Sequence, residues 1–291
     1  MKRVGELWPQ VVSHANLFEA VRRAALGKKS RPDVAAFLCG QEIEVMALQR
    51  ELLSGIYRPG VYRVFEIREP KPRQISAAPF RDRVVHHALT QVLEPIFERR
   101  FLPVSFACRT GLGSHAAVDR VQSATRLGGY ALRCDIRKYF AGIDHEILES
   151  KLASVVRCKR TLDLAARIID SWYPDEPVDW YFPGDNLFTP SLRRRGLPLG
   201  NQTSQFFANV YLNSLDHLVM RQLRPAAYAR YVDDFVLLDQ DKTRCVFSVR
   251  RSSNILRICG CACIRASPAF TGCKMESRFW AGESFQITGA W

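Results

Sequence analysis

Ala229-Arg230-Tyr231-Val232-Asp233-Asp234-Phe235-Val236-Leu237-Leu238 lies in an apolar run, Tyr228 to Leu238, that two adjacent acidic residues interrupt. Its β-branched and aromatic content predicts two strands joined at a tight turn. Such turns ordinarily use Asn-Gly or Asp-Gly, because the turn needs positive φ. Two neighbouring carboxylates at a hairpin tip repel each other and make a poor turn, so something should compensate. A divalent cation is one candidate, since magnesium favours carboxylate oxygens supplemented by substrate phosphates. A solvated surface hairpin accounts for the segment alone equally well.

A second carboxylate bears on the choice. Asp135 ends a short, mostly apolar strand expected over Tyr130 to Ile136, in Leu132-Arg133-Cys134-Asp135-Ile136. If both strands share one sheet, Asp135 and Asp233 converge at its edge. Such ligands suit a pair of metals roughly 3.5–4 Å apart, the arrangement for in-line phosphoryl transfer. Asp144 lies at the start of the helical pattern expected over Ile143 to Val156 and reads as the N-cap of its helix.

The rest of the chain fits a protein that handles a polyanion. Its 291 residues are 47% hydrophobic and 24% charged, enough for a substantial core. Forty-two Lys and Arg against 29 Asp and Glu leave a net charge of +13. Nucleic acid is favoured over membrane as the partner, because no apolar run approaches the roughly 18 residues of a spanning helix. The start, Met1 to Pro9, has basic residues but no apolar signal region, and nine cysteines without one point to a reducing, cytoplasmic setting.

Toward the N-terminus, Leu17, Val21, Ala24 and Ala25 share a helical face. Val34, Phe37, Leu38, Val45, Leu48 and Leu52 predict one longer helix, stopped by Ser54-Gly55 and Arg58-Pro59-Gly60. Val61 to Ile67 reads as a strand, Pro70-Lys71-Pro72-Arg73 as a stiff basic turn. A helix over Arg81 to Arg99 should turn Val84, Val85, Ala88, Leu89, Val92 and Ile96 inward, with Pro95 kinking or ending it. Residues 172–195 read as a long loop or small hairpin, and Gln202 to Leu223 as a further helix.

Three segments taken in order carry a family resemblance. Asp135-Ile136-Arg137-Lys138-Tyr139-Phe140, Gly196-Leu197-Pro198-Leu199-Gly200-Asn201-Gln202-Thr203-Ser204-Gln205 and Tyr231-Val232-Asp233-Asp234 resemble the palm motifs of reverse transcriptases in order and spacing. The resemblance extends upstream through Glu69-Pro70-Lys71-Pro72-Arg73, Phe80 to Leu89, and Ser105 to Gly113, covering about Leu17 to Asp241. Most bacterial and retroelement members carry Gln-Gly and then Ser-Pro in the middle motif, where this chain has Leu199-Gly200 and Ser204-Gln205. That departure is similar to the reverse transcriptases of diversity-generating retroelements, which copy a template RNA with errors at adenines.

The resemblance implies an α+β fold, the fingers and palm of a right-hand polymerase, with a small antiparallel palm sheet and flanking helices. It implies Asp135, Asp233 and Asp234 as catalytic residues holding two Mg2+ ions, with Mn2+ as a substitute. Lys71 and Arg73 would grip the nucleotide triphosphate. Phe140 would exclude a ribose 2′-OH, and Leu199, Gly200 and Gln205 would shape the nucleotide pocket, Leu199 with an effect on fidelity. Implied partners are a template RNA, the RNA–DNA duplex, deoxynucleoside triphosphates and a small basic accessory protein, with no membrane. Two other readings stand beside this one: a group II intron or defence-associated reverse transcriptase, and a catalytically inactive RNA-binding remnant.

Weaker signals receive plainer readings. His86 and His87 cannot share a helix face and read as a helix surface or a nucleic-acid contact. Arg193-Arg194-Arg195 reads as a solvated cluster, and Cys39, Cys108, Cys134 and Cys158 as small core residues. Gly111-Leu112-Gly113 lacks the remainder of a phosphate-binding fingerprint. The tail is anomalous: five of the nine cysteines fall between Cys245 and Cys273, at spacings too tight for a zinc site, with no clear periodicity. Read one nucleotide upstream, Cys261 to Phe270 can yield Arg-Leu-His-Pro-Arg-Lys-Ser-Arg-Ile, and Phe279 to Ser284 Phe-Leu-Gly-Trp-Arg-Val. These are similar to the later palm motifs of the same family. The expected organisation is therefore helices and fingers over 1–128, a palm over 129–244, and a frameshifted tail over 245–291 that replaces primer grip and thumb, the frame changing between about 239 and 252.

Overall fold

In a computed structural model of the chain, the described residues are 2–68, 72–126, 128–174, 185–241, 243, 244 and 248, with the backbone of 264–269. Two compact units form, each discontinuous in sequence: Met1–Arg100 with Ile143–Pro177 and Arg193–Val210, and Phe101–Gly142 with Val178–Leu192 and Tyr211–Trp291. Both mix helices with small antiparallel sheet.

The first unit opens with α1 (Trp8–Val11) and α2 (His14–Ala24). Ser13 caps α2 through its Oγ, which accepts from the Asn16 amide at 3.2 Å, and Leu17, Ala20, Val21 and Ala24 form the buried face. The long helix expected from Val34 to Leu52 is two, α3 (Pro32–Cys39) and α4 (Gln41–Ser54). Gly40, at φ −109° and ψ 26°, leaves the helical region between them, while the apolar faces on either side stay buried. Gly55 then ends α4 in the left-handed region, φ 75°. A two-stranded hairpin follows, β1 (Arg63–Ile67) against β2 (Arg73–Ala77), and Arg73 opens a strand instead of closing a turn. All five residues of β1 are exposed.

Helix α5 (Phe80–Glu98) runs on through Pro95. Leu93 and Phe97 are buried there, and Phe97 meets the Phe206 ring edge-on at 5.4 Å, while Val92 and Ile96 are half-buried. The Asn16 side chain, whose Nδ2 donates to the Ala88 carbonyl at 2.9 Å, ties α2 to α5.

In the second unit, α6 (Ser114–Thr125) leads into β3 (Tyr130–Ile136) and the short α7 (Tyr139–Gly142). The chain then returns to the first unit for α8 (His145–Ala153) and α9 (Lys159–Ile169). Asp144 caps α8, its Oδ1 accepting from the Ile147 amide at 3.1 Å, as its position in the sequence suggests. Residues 175–184 of the expected 172–195 loop lie outside the described residues; the short α10 (Thr189–Leu192) follows them. Helix α11 (Gln202–Leu218) begins in the first unit, ends in the second, and closes in a π-helical turn, Val219–Leu223.

Strands β4 (Ala227–Tyr231) and β5 (Asp234–Asp239) form the hairpin, and with β6 (Ile264–Ala269) they complete an antiparallel sheet of order β4-β5-β3-β6. On β3, buried Leu132, Cys134 and Ile136 alternate with half-buried Ala131, Arg133 and Asp135, the period-two pattern of a strand. One face of the sheet presents Ala227, Ala229, Val236 and Leu238 to Ala117 and Val121 of α6 and to Phe106. β6 lies in the tail where no periodicity is legible; its pairing with β3 is a backbone interaction, and an edge strand tolerates the proline at 268.

Candidate functional site

The register between β3 and β5 builds the acidic site. Asp135 and Asp234 are Cα partners across the two antiparallel strands, and Tyr231 of β4 pairs with Asp234 on its other side. Directly opposed residues share a face, so both carboxylates leave the same side of the sheet. Asp233 sits one residue before Asp234, in the two-residue turn with Val232. Val232 supplies the positive φ that the turn requires, 57°. For a β-branched residue this costs on the order of 1–2 kcal/mol, a strain held at the tip that carries the acidic pair.

The two opposed carboxylates differ. Asp135 is half-buried, whereas Asp234 is 5% exposed and accepts from Arg133, whose Nη2 lies 3.2 and 3.3 Å from its two oxygens. Burial lifts the Asp234 carboxyl above its usual range; Arg133 opposes the shift and the charge of Asp135 adds to it. Arg133 is two residues before Asp135 and therefore on the same face. Its identity as the counter-charge was not read from the sequence, though the i, i+2 spacing on a strand is a signal for it. Among the described residues, no group of three or more His, Cys, Asp or Glu side chains is arranged to hold a metal ion by itself. The donor set nonetheless fits Mg2+, which takes one or two protein carboxylates and fills its remaining positions with water and substrate phosphates. Phe140, also in this unit, is half-buried on α7 with its ring 5.5 Å from that of Tyr139.

The other expected nucleotide-site residues belong to the first unit. The Leu199 carbonyl accepts from the Ser76 amide at 3.0 Å. Buried Asn201 clamps the same strand: its Nδ2 donates to the Ser76 carbonyl at 2.7 Å, and its Oδ1 accepts from the Ala78 amide at 3.2 Å. The segment 199–201 is thus sewn to the strand that begins at the exposed Arg73. Gly200 is needed there, since its φ is +103° and a Cβ would stand 2.7 Å from Ile75 Cγ2. Leu199 is half-buried and Gln205 exposed on α11. Lys71 lies outside the described residues.

Three plainer expectations change. His86 is 1% exposed, so it belongs to the helical core and not to a helix surface; His87 is half-buried. Arg195 is buried, because a backbone bridge to Asp144 draws the segment inward, while Arg194 meets Asp170 at 3.1 Å. Of the four cysteines expected in the core, Cys134 is buried and Cys158 half-buried, but Cys39 and Cys108 are exposed. No helix among the described residues is long and apolar enough to cross a membrane.

Several known proteins are similar to this chain over part of its length. YkfC of Escherichia coli is 26% identical over 235 residues, 67% of this chain and 58% of that protein. The group II intron-encoded protein LtrA of Lactococcus lactis is 24% identical over 183 residues, 62% of this chain and 29% of its own length. A putative COX1/OXI3 intron 1 protein of Saccharomyces cerevisiae is 23% identical over 172 residues, 58% of this chain and 19% of its own. The chain thus spans 58% or less of each of these relatives. The profile of the reverse transcriptases (RNA-dependent DNA polymerases) matches residues 67–262, and with two thirds of its length so matched the chain belongs to the reverse transcriptase family.

Proposed function

We propose that this chain is an RNA-directed DNA polymerase that copies a template RNA into cDNA, with its fingers in the N-terminal region and its palm around the four-stranded sheet. The observation that carries the reading is the register that sets Asp135 opposite Asp234, next to the turn at Asp233. Asp135, Asp233 and Asp234 form the acidic set for two Mg2+ ions, Mn2+ serving as a substitute. When bound, the ions lower the pKa of an attacking 3′-hydroxyl and stabilise the pyrophosphate leaving group. Arg133 holds Asp234 at a defined angle and offsets part of the like-charge repulsion before any cation arrives. Lys71 and Arg73 bind triphosphate oxygens. Phe140 closes the ribose side against a 2′-OH, and Leu199, Gly200 and Gln205 shape the base side. The net charge of +13 suits an RNA–DNA duplex held through its phosphates, with affinity falling steeply as salt rises.

The finer reading is a diversity-generating retroelement enzyme of low fidelity with a small basic accessory protein, supported by Leu199-Gly200 and Ser204-Gln205 in the middle motif. A second reading, a group II intron-type enzyme, is favoured by the likeness to LtrA. A template repeat and a variable repeat beside the gene would decide for the first, flanking intron RNA for the second. The tail is proposed to be out of frame from between about 239 and 252, which sequencing the gene will test. Asp233→Asn should abolish primer extension, by this chain or by one with its frame restored, while leaving RNA binding intact. Retained extension would overturn the metal assignment.

A further inference from the structure

We infer that Arg230 is a positioning residue for the turn that carries Asp233, and that Asp216 on α11 sets it in place. The inference rests on the reading of Asp233 as a metal ligand. It begins from a buried charge that stability alone does not explain. Arg230 and Asp216 are both 0% exposed, joined by a fork in which Nε and Nη2 donate to the two carboxylate oxygens at 2.7 and 2.6 Å. Tyr228 donates its hydroxyl to the same carboxylate at 2.8 Å. Burial pulls the Arg230 pKa down, and the charge and hydrogen bonds of Asp216 more than offset that pull. A well-packed apolar pair commonly stabilises a core as well as such an ion pair does, so the pair invites another explanation.

The remaining contacts supply one. Nη2 also donates to Ser105 Oγ at 2.9 Å, and the Arg230 backbone is held on both sides, its amide by the Val104 carbonyl at 2.7 Å and its carbonyl by the Phe106 amide at 2.9 Å. With the guanidinium fixed this way, Nη1 donates to the Val232 carbonyl at 2.8 Å. Val232 is the β-branched residue held at φ 57°. Its carbonyl belongs to the peptide plane that joins it to Asp233, so gripping that oxygen sets the direction in which Asp233 leaves the turn. Strain at a functional tip persists only where its surroundings over-determine it, and a rigid five-donor fork does so where a single ammonium cannot.

The test is a coupling measurement on the full chain. Mn2+ binding is titrated by electron paramagnetic resonance for the wild type, Arg230→Lys, Asp233→Asn and the double variant, with unfolding temperature and RNA affinity measured alongside. Arg230→Lys should weaken Mn2+ binding about tenfold in the wild-type background and less than twofold beside Asp233→Asn, because it acts through that carboxylate. It should also lower kcat for extension while leaving the nucleotide KM within about twofold. An equal loss in both backgrounds, or none, overturns the inference. If Arg230→Lys does not fold, Ser105→Ala keeps the ion pair and removes one contact that orients the guanidinium. It should weaken Mn2+ binding at least about twofold, again only where Asp233 is present, and unchanged binding overturns the inference. A wild type that binds no Mn2+ and extends no primer overturns the metal reading itself, a separate outcome from wild-type binding that Arg230 leaves untouched.

Discussion

Replacing His86 with leucine should flatten the acid limb of this protein's stability curve without touching its affinity for RNA. His86 lies in α5, 1% exposed, and neither ring nitrogen has a hydrogen-bond partner. Burial, then the charges of His87 and Arg83, holds its pKa down to about 3, against 6.5 for an unperturbed histidine. Between those two values the unfolded chain takes up a proton that the folded chain refuses. The folded state therefore keeps its full stability above about pH 6.5 and loses it progressively as pH falls toward 3. Integrated between the two pKa values, the loss from this residue is about 2 kcal/mol at pH 5. Urea unfolding at about pH 7.5 and about pH 5 measures it, and every other titrating group cancels when the wild type is compared with His86→Leu. The wild type should lose about 2 kcal/mol more than the variant over that interval. At neutral pH the variant should be no less stable, since two unsatisfied polar atoms leave the core. Equal losses would refute the argument, and weakened RNA binding by the variant would return His86 to a contact surface.

Other outcomes follow from the same geometry. Gly200→Ala places a Cβ against Ile75 at φ +103° and should cost on the order of 1–3 kcal/mol, read in the unfolding midpoint; an unchanged midpoint means the segment relaxes freely. Arg133→Gln leaves Asp234 buried opposite Asp135 without its counter-charge, and should lower metal-free stability by about 3 kcal/mol, part of which millimolar Mg2+ restores. A melting temperature for that variant that is insensitive to Mg2+ would count against a cation at this site. Leu199→Gln should reduce misincorporation opposite template adenines in sequenced cDNA, and an identical error spectrum would remove Leu199 from the fidelity argument.

Where hydrophobic periodicity is strong, the elements could be read before the fold was known. The Tyr130–Ile136 strand has the expected bounds, and the hairpin exists where it is expected, but its turn is Val232-Asp233, one residue before the acidic pair, and Asp234 already belongs to β5. Helix α2 buries the face its spacing marks. Other elements were missed for specific reasons. Helix α6 packs through Ala117 and Val121, small and modest in hydrophobicity, so its pattern is faint. Helix α9 carries Leu164, Ala165, Ile168 and Ile169 at helical spacing, a signal present but overlooked among its charged neighbours. The break at Gly40 was hidden because the apolar faces of α3 and α4 continue one another in register.

The residue types and order of the acidic motifs, the basic excess and the N-cap at Asp144 are properties of the chain read along its length. The carboxylates and the charge suggested metal-assisted phosphoryl transfer on a polyanion, and the resemblance to reverse transcriptases supplied the polymerase reading. What faces what was decided only on folding. Arg133 meets a carboxylate 101 residues away, and Arg230 meets one 14 residues back on a helix, because strand register and helix packing bring them there. His86 and Arg195 went inside for a similar reason: burial is a property of the packed neighbourhood, and the same side chain on the same helix pattern is solvated or enclosed according to which element docks against it.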